Sequence, residues 1–333
     1  MTANLLPHHL KQLHTSAISD AVIDARGYQS VSRPTPGDGS PRDLLRRLGI
    51  PAWARDDDAR FPGLLIPVWG PKGDRVSFQY KMDRPPGDPK TGKPRKYANE
   101  QSHANVIDVH PRHNQTPPGR ALPAILDLSV PLWITEGIKK ADALTSRGYC
   151  CLALYGVFSW RSSLGTLGDW EDIPLKGRRI VICFDADARD NPNVARAMAR
   201  LGKWLLDVKR AAQVIYVLPP PLPDGTQHKG VDDYLAAGGT ADALCAAMAP
   251  APPPVAKDPA ADPDMIMVET LAEEALDGAW LWCPALGRGA RVSGWHRYVP
   301  GEGRWAAVPD AELAETVRLW VRKRSQQCPR TRA

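Results

Sequence analysis

The sequence predicts an α/β fold in which a mainly parallel sheet is flanked by helices. From residue 131 onward, short apolar runs typical of strands alternate with segments whose apolar residues recur at helical spacing. The resulting order is β-α-β-β-α-β, and a strand, a crossover helix and a parallel strand are the usual unit of such folds. Hydrophobic residues make up 43% of the 333-residue chain, which is sufficient for a globular core.

The first half of the chain is predicted to be helical and then mixed. Helical spacing of apolar residues indicates short helices within residues 1–30, and RDLLRRLGI predicts another. Two strands are predicted at Leu64–Trp69 and Arg75–Met82, and the composition of 84–100, rich in Pro, Gly and Lys, indicates an exposed loop. We therefore expect an N-terminal helical region and then a basic α+β subdomain, with bounds 1–55 and 56–125.

The α/β domain is predicted to span residues 126–249. Its strands are expected in PLWIT, YCCLALYG, GRRIVICF and AQVIYVL, and its helices in IKKADALTSR, VARAMARLGKWLLDVKR and VDDYLAAGG. Residues 250–264 are a Pro/Ala linker that has too few apolar side chains to form a core. The segment 265–333 is rich in Trp and predicts a small α+β appendage, made of strands and one helix.

Two acidic groups follow the predicted strand GRRIVICF. Asp185 and Asp187 are separated by one alanine, so in an extended strand both would point to the same face. Carboxylates about 6 Å apart repel by about 2–3 kcal/mol at an effective dielectric constant of about 20, unless a cation lies between them. Glu136 ends the first strand of this domain, and it would meet the two aspartates if the first and third strands are neighbours. Oxygen ligands of this kind suit Mg²⁺ or Mn²⁺.

These motifs resemble the TOPRIM fold of bacterial-type primases, topoisomerases and some nucleases. The match rests on WITEG, VICFDADA and KGVDDYL, and the upstream strands with PRKYANE are similar to the basic half of a primase polymerase domain. The nearest resemblance is to the TOPRIM-containing domain of unknown function in phage- and plasmid-borne primases. It implies that Glu136, Asp185 and Asp187 are catalytic and bind Mg²⁺ or Mn²⁺, with Asp232 as a further metal ligand.

The sequence departs from the cellular primase pattern at two places. Lys140 stands where those primases have a second acid, and their K-D-x-D-E element is represented here by residues 229–233, KGVDD, with one acid fewer. The resemblance therefore leaves open whether one or two metal ions bind.

Basic residues of two regions are candidates for contact with nucleotide or template. Residues 72–97 contain eight Lys or Arg and three Asp, interleaved with aromatic side chains, a composition suited to single-stranded nucleic acid. The candidates, including those beside the acidic motifs, are Lys81, Arg84, Arg95, Lys96, Tyr97, Lys139, Lys140 and Lys229.

The resemblance implies a primase that makes primers on a single-stranded DNA template from nucleoside triphosphates, for a phage, plasmid or other mobile element. Two alternatives remain open, a metal-dependent TOPRIM nuclease and an inactive DNA-binding replication adaptor. The Trp-rich tail resembles the segment that introduces the helicase part of primase-helicases, but no P-loop sequence occurs in the chain. A separate replicative helicase is therefore a further expected partner.

Bulk properties agree with this interpretation. The formal net charge is +6, which favours a polyanionic partner, and the six cysteines include no C-x-x-C pair. The chain shows neither a signal peptide nor a run of eighteen apolar residues, so we expect a soluble, cytoplasmic protein without a membrane partner.

Overall fold

A computed structural model describes residues 4–32, 40–89, 91–101, 105–162, 165–254, 280–283, 294–299 and 304–327. The chain divides into two compact units, and the larger one comprises residues 1–162 and 166–256. The smaller unit comprises residues 163–165 and 257–333. In the described parts, no helix is both long and apolar enough to cross a membrane.

The chain begins with short helices that pack on a four-stranded antiparallel sheet. The helices are α1 (Pro7–His14), α2 (Asp20–Arg26), α3 (Pro41–Arg47) and α4 (Ala52–Arg55), followed by a 3-10 turn at Asp58–Arg60. The sheet has the order β1-β2-β3-β4, formed by β1 (Gln29–Val31), β2 (Gly63–Trp69), β3 (Arg75–Met82) and β4 (Tyr97–Asn99). The predicted strands β2 and β3 are confirmed. The prediction that 84–100 is entirely a loop is wrong, because Tyr97–Asn99 pairs with β3.

A five-stranded sheet forms the centre of the larger unit. Its strands are β5 (Asp108–Val109), β6 (Leu132–Glu136), β7 (Cys150–Leu154), β10 (Arg179–Cys183) and β11 (Gln213–Val217), in the order β11-β10-β6-β7-β5. Two short strands, β8 (Arg161–Ser162) and β9 (Gly165–Thr166), and 3-10 turns at Pro111–His113, Gly168–Asp172 and Ala186–Arg189 lie between them. All pairings in this sheet are parallel except that of β5 with β7. The predicted mainly parallel sheet is therefore confirmed.

Helices cover both faces of this sheet. They are α5 (Ile138–Ser146), α6 (Pro192–Asp207), α7 (Val231–Ala236) and α8 (Ala241–Ala246). Alternate residues of β6 enter different cores, since Trp133 packs in the cluster that contains α5 and α7, whereas Ile134 packs with α6. The sheet is thus buried on both sides, which explains why its strands read as continuous apolar runs.

The described residues of the smaller unit beyond residue 279 form three strands and a helix. Strands β12 (Trp280–Cys283), β13 (Gly294–Val299) and β14 (Arg304–Ala307) pair antiparallel in that order, and α9 (Asp310–Gln327) follows. Most of the expected Pro/Ala linker, residues 255–264, lies outside the described residues.

A buried ionic cluster joins the N-terminal helices to the central sheet. Arg26 at the end of α2 is fully buried and donates to Asp108 at 2.5 Å and to both oxygens of Asp142 at 2.5 and 3.0 Å. Asp142 also accepts a hydrogen bond from the Tyr28 hydroxyl at 2.6 Å. Burial raises the pKa of Asp108, against the opposing effect of Arg26. One guanidinium therefore balances two carboxylates and connects α2, β5 and α5.

Replacement of Arg26 by methionine is expected to lower the free energy of unfolding by about 3–5 kcal/mol, because Asp108 and Asp142 would remain buried without a counter-charge. Urea denaturation followed by circular dichroism measures this loss. Arg47→Met, at an exposed arginine of α3, is the matched control and should cost less than about 0.5 kcal/mol. Equal losses in the two variants would contradict the assigned role of Arg26.

Candidate active site at the ends of two parallel strands

The site is positioned by the pairing of β6 with β10. These strands are parallel neighbours, with Thr135 opposite Cys183, so their carboxyl ends lie at the same edge of the sheet. Glu136 is the last residue of β6, and Asp185 follows β10 by two residues. The expected adjacency of the first and third strands of this domain is therefore confirmed.

The two aspartates do not continue the strand as the sequence suggested. Strand β10 ends at Cys183, Asp185 is extended at the start of a 3-10 turn, and Asp187 lies within that turn, Ala186–Arg189. The expectation that both acids share one face of an extended strand is wrong. The turn is held by a hydrogen bond from the Ala186 amide to the Lys229 carbonyl at 2.8 Å, which brings residue 229 beside the acids.

Lys140 connects the acids of the two strands. Its ammonium forms an ion pair with Asp185 and lies 3.6 Å from Glu136 Oε1. Burial raises the pKa of Glu136, the Lys140 charge opposes this, and the Asp185 carboxylate raises it further. Burial lowers the pKa of Lys140, but Glu136 and Asp185 outweigh that effect and the pKa is raised. A cation thus lies where the two carboxylates converge.

Lys229 makes the second cationic link. Its ammonium lies 2.8 Å from Asp187 Oδ2 and 3.8 Å from Asp185 Oδ2. Its side chain is 65% exposed, whereas that of Asp185 is only 8% exposed. The buried acid is therefore held from inside by Lys140 and covered from the solvent side by Lys229.

Asp232 at the start of α7 is the fourth acid of the site. It is buried, its Oδ1 has no hydrogen-bond partner, and burial raises its pKa against the charges of Lys139 and Lys140. Gly230 permits this arrangement, because a Cβ there would lie 2.5 Å from Asp232 Oδ1 and 3.1 Å from Lys140 Cε. The close approach, which sequence reasoning missed, explains a glycine at this position.

Several predicted basic residues lie near the acids. Burial lowers the pKa of Lys139, which donates to the Ser16 hydroxyl at 2.6 Å, and Asp232 acts in the opposite direction. Burial also lowers the pKa of Lys81, and the charges of Lys139 and Lys96 add to this effect. The positive charges of these lysines therefore lie close enough to repel one another.

Tyr97 lies on the same side of the molecule. Burial raises the pKa of its hydroxyl to about 12, the Asp232 charge adds to this, and the Lys140 charge opposes it. Its side chain is nevertheless partly open, since the residue is 38% exposed. An aromatic ring is thus available beside the acids and lysines.

Two predicted contact residues have other surroundings. The guanidinium of Arg95 lies 3.9 Å from the centre of the Trp53 ring and 3.8 Å from Asp88. The carbonyl of Arg84 accepts a hydrogen bond from Arg60 at 3.4 Å. Within the described residues, neither side chain makes an ion pair with the acids of the site.

The carboxylate oxygens of this site are suited to a hard cation, but three of them do not lie as close together as the ligand atoms of a preformed metal site would. Among the described residues, one trio of metal-ligating side chains has all its ligand atoms within 4.8 Å of one another, and it consists of His8, His9 and Asp83. Within the part of the chain that the structure describes, no three acids of the strand ends form such a group, although Lys140 lies against both Glu136 and Asp185. An open cleft of about 810 Å³ lies between α1 and α7, with His228 and Asp233 in its wall, and none of the four acids lines it.

Comparison with known proteins gives one family and several similar folds. A family model described as "Domain of unknown function (DUF3854)" matches residues 123–242. No curated protein matches the chain. The zinc-binding and RNA polymerase domains of the Aquifex aeolicus primase are similar at 12% identity over 82% of this chain and 61% of that one, with a TM-score of 0.47. The match thus covers less than two thirds of that structure.

Two further solved structures are similar to this chain. The RNA polymerase domain of the Mycobacterium tuberculosis primase DnaG is 16% identical over 73% of this chain and 76% of that one, with a TM-score of 0.46. The primase fragment of the bacteriophage T7 primase-helicase protein is 13% identical over 68% of this chain and 69% of that one, with a TM-score of 0.37.

Removal of the Lys140 ammonium should make the stability of the protein strongly dependent on pH. In Lys140→Met, burial and the Asp185 charge raise the pKa of Glu136 without opposition from the lysine. A carboxyl group whose pKa is raised by folding stabilises the fold while it is protonated, and this contribution is lost as pH rises through the folded-state pKa. We expect the free energy of unfolding to fall by about 1–3 kcal/mol more than in the unchanged protein between about pH 5 and pH 8.

Urea denaturation at both pH values measures the effect. Lys203→Met is the matched control, because that lysine pairs with Asp207 on the surface of α6 and its side chain is 77% exposed. A pH dependence of Lys140→Met that equals the control would show that Lys140 does not neutralise the acids.

Proposed function

We propose that this protein is a primase-like nucleotidyltransferase, which makes primers on single-stranded DNA by divalent-cation-dependent phosphoryl transfer. Its role would be the replication of a phage, plasmid or other mobile element. One observation carries the proposal: acids from the ends of two adjacent parallel strands lie together with lysines that can bind phosphate. Phosphoryl transfer needs such positive charge around the transferred group.

Mg²⁺ or Mn²⁺ fits the donor set at this site. The donors are carboxylate oxygens, as hard cations prefer, and the buried Asp187 Oδ1 and Asp232 Oδ1 have no hydrogen-bond partner. Glu136, Asp185 and Asp187 would hold the ion, and Asp232 would be an additional ligand. A bound divalent cation supplies neutralisation of the developing phosphate charge and favours the deprotonated form of an attacking hydroxyl.

The lysines of the site act on phosphate. Lys229 is largely exposed and can move from Asp187 to the phosphates of an incoming nucleoside triphosphate. Lys140 is more deeply placed, so its ammonium stabilises charge at the acids themselves. Lys139 lies at the amino-terminal end of α5, where backbone N–H groups add to the attraction for an anion.

The four-stranded antiparallel sheet, β1-β2-β3-β4, provides the contact with template. Lys81 lies on β3, and Lys96 directly precedes β4. The charges of both lysines interact with that of Lys139 next to the acids. The Tyr97 ring offers a surface on which a base can stack, a contact worth about 1–3 kcal/mol per base. The proposed partners are therefore a single-stranded DNA template and nucleoside triphosphates, and the tail suggests a separate replicative helicase.

One observation favours a second candidate, the non-catalytic DNA-binding adaptor. Lys140 and Lys229 already pair with Glu136, Asp185 and Asp187 within the chain, so a divalent ion must compete with two ammonium groups for the same oxygens. A protein that only binds DNA could keep the fold and the basic surface with this internal neutralisation. Activity, rather than binding, therefore separates the two candidates.

Primer synthesis tests the proposal. We expect the protein to make labelled oligonucleotides from nucleoside triphosphates on single-stranded DNA with Mg²⁺ or Mn²⁺, as resolved on a denaturing gel. Asp185→Asn and Glu136→Gln should each lower the rate at least about 100-fold, because each removes a charged oxygen from the phosphoryl-transfer site. Asp207→Asn, which changes an exposed acid at the end of α6, should leave the rate unchanged.

The other outcomes each reject the proposal in a recognisable way. Template degradation that depends on Asp185, without synthesis, would identify a nuclease. Absence of both activities with intact binding of single-stranded DNA, measured by fluorescence anisotropy, would identify the adaptor. Full synthesis by Asp185→Asn would show that the chemistry takes place elsewhere.

A further inference from the structure

A second group of metal-ligating side chains lies where α1 meets the end of β3. His8 and His9 are consecutive residues near the start of α1, and Asp83 directly follows β3. His8 Nε2 lies 2.7 Å from Asp83 Oδ2, and His9 Nε2 lies 2.9 Å from Asp83 Oδ1. In both imidazoles, Nε2 is thus the ring nitrogen that faces the Asp83 carboxylate.

The three side chains form a compact donor set. Their ligand atoms all lie within 4.8 Å of one another. Two imidazole nitrogens and one carboxylate oxygen suit zinc and similar transition metals, in contrast to the all-oxygen set at the strand ends. The set differs from the acidic site in chemistry as well as in position.

The surrounding structure orients the buried histidine. The side chain of His9 is only 1% exposed, and its Nδ1 lies 2.7 Å from the Ser30 hydroxyl oxygen. That oxygen also accepts a hydrogen bond from the Leu6 amide at 2.7 Å. A hydrogen bond to the second ring nitrogen is the usual way in which proteins orient a metal-binding histidine.

The group is open on one side. The side chains of His8 and Asp83 are 53% and 22% exposed. An ion can therefore enter from solvent and keep a water molecule as its fourth ligand, as in zinc sites with three protein ligands.

We propose that His8, His9 and Asp83 form a binding site for Zn²⁺ or a similar transition-metal ion, which fastens α1 to the end of β3. With its ring proton on Nδ1, His9 donates to the Ser30 oxygen, whose own hydroxyl proton turns away from the ring, and the Nε2 lone pair is the ligand. His8 presents its Nε2 lone pair in the same tautomer. The inference is independent of the proposed primase activity.

Metal titration of the 333-residue chain tests this site. We expect Zn²⁺ and Co²⁺ to bind with one equivalent that His8→Ala and Asp83→Asn each weaken at least about tenfold, the usual effect of losing a ligand or its support. Isothermal titration calorimetry gives the stoichiometry and affinity. His14→Ala is the matched control, because His14 lies on the same helix and pairs with Asp20 at 2.8 Å, and it should bind as the unchanged protein does.

Cobalt spectra and one further variant distinguish this site from others in the chain. Bound Co²⁺ should show visible bands without a thiolate charge-transfer band, since a cysteine such as the exposed Cys245 is not a ligand. Glu136→Gln should leave this equivalent in place. Affinities of His8→Ala and Asp83→Asn within twofold of the unchanged protein, a thiolate band, or loss of the equivalent in Glu136→Gln would each overturn the proposal.

Discussion

The candidate site depends on the parallel pairing of β6 with β10. With Thr135 opposite Cys183, both strands end at one edge of the sheet, and Glu136 and Asp185 extend from it towards the same space. Each strand is buried on both faces. A shift of register by one residue would move every side chain of the strand into the opposite core, and it is therefore strongly disfavoured. The packing of apolar side chains therefore fixes the positions of the acids.

Charge compensation is the second constraint. Burial alone disfavours ionised Glu136 and Asp232, as the raised pKa of each shows. Lys140 offsets this cost at both acids, Lys139 does so at Asp232, and Gly230 leaves the space for Lys140 to approach. Four acids and nearby lysines thus form one electrostatic unit, in which a change at any member alters the others. An incoming phosphate would compete with the acids for the lysines, and a divalent cation would compete with the lysines for the acids.

The sequence predicted the central part of this arrangement because its signals are local. Apolar runs and helical spacing identified β6, α5, β10 and α6, and the order of these elements implied that acids at strand ends converge. The 3-10 turn that carries Asp187 was missed, because its conformation depends on the Lys229 carbonyl more than forty residues away.

Long-range contacts account for the other misses. The short strands β1 and β4 have too few residues for a pattern and exist because they pair with β2 and β3. The Arg26 cluster and the group of His8, His9 and Asp83 join residues that are 74 to 116 positions apart. No spacing within the sequence indicates such contacts. Sequence spacing likewise does not indicate that Arg95 lies over Trp53, because that contact follows from the fold of the N-terminal part of the chain.

We propose that Glu136, Asp185 and Asp187 surround a site for a divalent cation. Anomalous diffraction from crystals soaked with Mn²⁺ and a nucleoside triphosphate measures this directly. We expect a manganese peak within bonding distance of carboxylate oxygens of Asp185 and at least one of Glu136 and Asp187, with Lys140 or Lys229 contacting phosphate. A manganese peak elsewhere, with both lysines still paired to the acids, would contradict it.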